Sequence, residues 1–100
     1  MFPQILFNLV CRRSVPVDLS AACTGASQTV SPANTNRRFF KFQNISANPM
    51  YLEITGAAAT ATTSYTVAPG ATFTQENGHI TTAAITVLGT ATNLFVYKEA

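Results

Sequence analysis

The sequence predicts an all-β fold: one small antiparallel β-sandwich or jelly-roll-like barrel of about seven or eight short strands, preceded by an apolar N-terminal strand or arm. Three observations predict it. Short runs rich in β-branched and aromatic residues alternate in polarity, and no helical period competes with them. Turn signals recur roughly every 8–12 residues, among them Asn48-Pro49, Pro69-Gly70 and Asn77-Gly78. Lys and Glu, which build most helix surfaces, are scarce: only 10% of the 100 residues are charged.

The strands follow in order. The segment Phe2 to Val10 is apolar but not cleanly alternating, which fits a strand buried on both faces or an arm lying on another subunit. Residues 1–20 are therefore set apart as an arm and 21–100 as the sandwich. Ser20 to Asn36 reads as loop, with a short strand at Gln28-Thr29-Val30 before a Ser31-Pro32-Ala33-Asn34 turn. From Arg37 onward, Phe40, Phe42 and Asn44 share one face of an extended chain, and Phe39, Lys41, Gln43 and Ile45 the other. After Asn48-Pro49, Met50, Leu52 and Ile54 share a face, so the two runs suggest an antiparallel hairpin with a four-residue connection. Gly56 to Ser64 is a small-residue loop. Tyr65-Thr66-Val67 and Ala71-Thr72-Phe73-Thr74 flank Ala68-Pro69-Gly70, a type II turn signature. Thr81 to Leu88 reads as a strand with Ile85 and Val87 on one face. Asn93 to Lys98 follows, with Phe95 and Tyr97 opposite Leu94 and Val96.

Composition narrows the function classes. A formal charge of +2 with no charge block gives no electrostatic footprint for nucleic acid. The nearly uncharged, Thr/Ala-rich surface resists association weakly, which suits a surface covered by neighbours. The apolar N-terminal stretch lacks a basic region before it, Arg12 and Arg13 coming after, so it is not read as a secretion signal. It also falls far short of the ~20 apolar residues of a membrane-spanning helix. Cys11 and Cys23 could form one disulfide, but the preferred expectation is two thiols in a reducing cytoplasm.

The residues offer little chemistry. His79, the single histidine, follows a turn and lacks ligand partners at metal spacing, so no metal and no cofactor are expected. Asp18, Glu53, Glu76 and Glu99 are scattered rather than paired, and no serine sits in a nucleophile elbow. No glycine-rich phosphate loop is present. The expectation is a protein that is not an enzyme. Arg37, Arg38 and Lys41 beside three phenylalanines could form a nucleic-acid groove. Alternation sends those phenylalanines to both faces, which argues against it. The arginines are expected instead at a protein interface.

One ordered set of phrases is distinctive. It begins with Gln28-Thr29-Val30-Ser31-Pro32-Ala33-Asn34 and continues in the basic strand Arg37 to Ser46, with its internal Gln43-Asn44. Asn48-Pro49-Met50-Tyr51-Leu52 then runs into the Ala-rich loop ending at Thr60. Ala68-Pro69-Gly70 and the final Phe95-Val96-Tyr97-Lys98-Glu99 close the set. From Ser27 to the C-terminal residue, this order resembles small virion proteins of tailed bacteriophages, including capsid decoration or cement proteins. The resemblance implies a β-sandwich module that forms a homotrimer, binds the major capsid protein and stabilises the capsid lattice. It would sit on the capsid surface of the virion after assembly in the host cytoplasm, with no membrane partner. The arm, Phe2 to Val10, lies outside the resemblance and is expected to pair with a neighbour by strand addition. Candidate interface residues are Phe2, Ile5, Leu6, Phe7, Leu9, Arg12, Arg13, Arg37 and Arg38. The alternative is a receptor- or carbohydrate-binding module of a head or tail fibre, using exposed aromatics such as Tyr51, Tyr65 or Tyr97.

Overall fold

A computed structural model describes residues 17–76 and 78–100. Among them run nine strands and no helix: β1 (Val17–Asp18), β2 (Ala21–Ala22), β3 (Gln28–Ser31), β4 (Phe40–Asn44), β5 (Met50–Glu53), β6 (Tyr65–Val67), β7 (Thr72–Gln75), β8 (Ile85–Leu88) and β9 (Leu94–Glu99). All pairings are antiparallel. One sheet has the order β1-β9-β4-β7, with β2 also on β9; the other has the order β3-β8-β5-β6.

β1 and β2 pair with β9 in a single register, Val17 opposite Glu99 and Ala22 opposite Leu94. They act as one interrupted strand, bridged by Leu19 N donating to the Tyr97 carbonyl at 3.0 Å. That leaves eight strand positions. The first pairs with the eighth, the second with the seventh, the third with the sixth and the fourth with the fifth, which is the nested order of a jelly roll. Val17 and Asp18 thus belong to the sheet, although they fall in the segment set apart as an arm.

The core lies between the sheets, and the two sheets contribute differently. The β9-β4 sheet supplies aromatic rings: Phe40, Phe42, Phe95 and Tyr97. Phe42 stacks on Phe95 at 5.2 Å and Phe40 on Tyr97 at 5.6 Å. The β8-β5 sheet supplies Val30, Met50, Leu52, Val67, Ile85 and Val87. Each large side chain so buried stabilises the fold by about 1.5–3 kcal/mol, before the cost in chain entropy. The face assignments made from alternation hold in β4, β5, β8 and β9.

Two expectations fail. β4 and β5 do not form a hairpin: β4 pairs with β7 and β9, and β5 with β6 and β8. The Ser46–Pro49 connection crosses between sheets, because both edges of each strand are taken by these distant partners. The strand foreseen over 81–88 begins only at Ile85. The carbonyls of Thr81 and Ala83 instead accept from the Arg37 guanidinium, each at 2.9 Å. The type II turn does form. Ala71 N donates to the Ala68 carbonyl at 2.9 Å, and Gly70 has φ +79.

Candidate interaction surfaces

The candidate residues Phe2, Ile5, Leu6, Phe7, Leu9, Arg12 and Arg13 lie outside the described residues. Arg38 is exposed. Arg37 is not: it is 2% exposed, and its donors are used within the domain. Arg37 therefore does not lie at an interface as expected, and the cause is visible at the end of β9. Alternation places Phe95, Tyr97 and Glu99 on the core face together. A buried carboxylate needs a cation and donors beside it. Arg37 Nε provides the ion pair to Glu99 Oε1 at 3.1 Å. The same oxygen accepts from the Ser31 hydroxyl at 2.7 Å and the Tyr97 hydroxyl at 2.6 Å, while Oε2 accepts from Asn34 Nδ2 at 3.1 Å. Arg37 Nη2 donates to Ser31 Oγ and to the Pro32 carbonyl, both at 2.9 Å.

Local backbone form brings these groups together. The β3-β8 register shifts between Thr29 and Ser31, a bulge that turns the consecutive Val30 and Ser31 both inward. Burial opposes ionisation of Glu99, but the donors Tyr97, Ser31 and Asn34 with the Arg37 charge outweigh it and hold the carboxyl below its usual value. Burial, then the hydrogen bond to Glu99, pushes the Tyr97 hydroxyl well above the ordinary tyrosine range. Tyr97 is fully buried, so it is removed from the aromatics that a binding groove could use.

At the opposite end of the core, Asn44 does similar work without charge. Its Nδ2 donates to the carbonyls of Asn48 at 2.7 Å and Val67 at 2.9 Å, and its Oδ1 accepts from Ser46 N and Oγ. Sequence alternation placed Asn44 on the face of Phe40 and Phe42, which proves to be the core face, but assigned it no role.

The outer faces carry what a partner would meet. On the β9-β4 sheet, Lys98 stands opposite Lys41 and pairs with Asp18 at 2.7 Å. Ile45 and Leu94 are exposed. On the other sheet, the 54–64 loop lies over part of the outer face, where Thr86 Oγ1 donates to the Ala57 carbonyl at 2.7 Å and Ala59 is buried. Elsewhere that sheet carries an open, shallow depression of about 480 Å³, lined by Gly25, Asn48, Pro49, Tyr51, Leu88, Gly89, Thr90 and Ala91. Tyr65, 55% exposed, leans on Phe73 at the β6-β7 side.

Among the described residues, no group of three or more His, Cys, Asp or Glu is placed to hold a metal ion. His79 is exposed. Cys23 is buried against Met50 and Gly89, and burial raises its thiol pKa.

This architecture defines a small jelly-roll domain whose titratable core residues are tied into structure. No protein-family model matches the chain. No curated protein matches it. A solved structure described as "Bacillus endospore appendages form a novel family of disulfide-linked pili" contains a chain of similar fold. The match has a TM-score of 0.52 at 17% identity, covering 85% of this chain and 80% of that one. At that identity the likeness establishes the fold.

Proposed function

We propose that this protein is a structural subunit that works by binding other protein chains, chiefly copies of itself, in an ordered assembly. One observation carries the reading: the sandwich recurs, over most of both chains, in a structure whose description is of pili. The low charge of the surface fits it, since little net repulsion opposes packing of copies. The narrower form, a trimeric decoration protein on the capsid of a tailed phage, is supported by the phrase order from Gln28 to Glu99. On that form the major capsid protein is the second partner.

The test is the mass of the full-length protein in solution, by light scattering behind a sizing column and with electron microscopy of the same fractions. A defined multimer or filament is expected. A monomer at every concentration would overturn the reading. Running the samples with and without reductant separates covalent from non-covalent linkage, which matters for a chain containing Cys11 and Cys23. Adding the protein to phage heads stripped of decoration tests the narrower form, which predicts binding and greater heat resistance of the heads.

A further inference from the structure

We infer that the open depression over Tyr51 and Leu88 is the docking site for the apolar segment Phe2 to Val10 of a second copy of this chain. The inference rests on the self-assembly reading above and names the surface it would use. Part of that outer sheet face is already covered by the chain's own 54–64 loop. The open depression has half-buried Tyr51 and Leu88 on its floor. Loops at Gly25, Asn48-Pro49 and Gly89 to Ala91 wall it. Not one lining residue is charged, so the depression offers no ion-pair partner to a charged segment and suits an uncharged one.

The occupant follows from what the chain holds in reserve. Sixteen residues precede Val17, and Phe2 to Val10 form an uncharged run with Ile5, Leu6, Phe7 and Leu9 at its centre. Fully extended, those sixteen residues reach up to roughly 55 Å. They join the domain at Val17, opposite Glu99, at one end of β9. The depression lies at the other end, where the Gly89–Thr92 turn leads into Leu94 and the β2-β3 loop carries Gly25. It is also on the other sheet, since Tyr51 and Leu88 belong to β5 and β8. Docking on its own depression would require the segment to run the length of the domain and round to the other sheet, ordering most of the chain before Val17, whereas a neighbouring copy can present its depression close to Val17.

A benzophenone photocrosslinker placed at position 51 of the full chain tests this, with mixed isotope-labelled and unlabelled protein to identify links between copies. Mass spectrometry is expected to find position 51 joined to residues 2–10 of another copy. The same group at Thr74, on the outer face of the other sheet, is expected to give no such link. In parallel, Tyr51→Lys and Leu6→Asp should each weaken assembly by about tenfold or more while leaving the thermal melt of the domain in place. Links from position 51 to the folded domain of another copy, with the assembly mass unchanged, would overturn the docking site and leave self-assembly standing. A protein that is monomeric throughout would overturn both.

Discussion

Replacing Glu99 by Gln tests the buried network directly. The carboxylate accepts four hydrogen bonds, from Ser31, Arg37, Tyr97 and Asn34. A glutamine keeps the shape but exchanges one acceptor oxygen for a donor, so one of those donors then faces an NH2 group. It also leaves the Arg37 guanidinium, 2% exposed, without its counter-charge. Breaking a buried pair from one side costs about 3–5 kcal/mol. A domain of this size has only ~5–15 kcal/mol of stability in total. At about 4–8 °C per kcal/mol, the melting temperature should fall by roughly 12–40 °C. Thermal melts by circular dichroism, at one fixed protein concentration, measure it. The double variant Arg37→Met/Glu99→Gln should lose less than the two single losses added together, because it leaves no uncompensated charge. A fall under about 5 °C for Glu99→Gln would refute the claim that this network holds the end of the sandwich.

Further expectations follow from the same structure. Because the folded pKa of Glu99 is depressed, its contribution to stability is complete above the ordinary carboxylate value of 4.5 and is lost as pH falls through the folded value. Urea midpoints should therefore drop with acidification below about pH 4.5, and the drop should shrink in Glu99→Gln. Asn44→Asp places a carboxylate oxygen where Nδ2 now donates to the Asn48 and Val67 carbonyls, and should cost about 2–4 kcal/mol in urea unfolding. A Cβ on Gly89 would stand 2.6 Å from Cys23 Sγ and 3.2 Å from Met50 Cγ, so Gly89→Ala should destabilise by about 1–3 kcal/mol. Adding Cys23→Ala should recover part of that loss, whereas equal losses with and without Cys23 would show that the thiol is not the obstruction.

What could be read from the sequence was local. The alternation of Phe40, Phe42 and Asn44, and of Phe95 and Tyr97, gave which side chains share a face because a strand has only two faces, but not which face meets the core, so Tyr97 was expected exposed. Pro69-Gly70 gave its turn for an equally local reason, the positive φ that glycine accepts. Sheet membership was not legible: the Asn48-Pro49 turn is as compatible with crossing the core as with a hairpin, and long-range pairing decides between them. Arg37 was misjudged because it was read together with Arg38 and Lys41, and a basic cluster reads as surface. The signal that could have found it lay at the end of β9. Extending the Phe95, Tyr97 alternation two residues further puts Glu99 on the core face, and a buried acid demands a nearby base. The bulge that turns Ser31 inward has no such signature, since two consecutive inward residues break the alternation on which strand reading depends.

The position of β9 has a kinetic consequence. It is the last described strand in chain order, yet it sits inside its sheet, between β1/β2 on one side and β4 on the other. During synthesis, the earlier strands emerge without the partner that joins them, and that sheet cannot close until β9 arrives. Ser31 and Arg37 likewise wait for Glu99, which lies 68 and 62 residues further along. Such distant pairings place folding in the slow range of β-sandwiches, milliseconds to seconds. On the self-assembly reading proposed above, copies become competent to associate only after translation has delivered the strand that completes the domain, with open strand edges exposed until then.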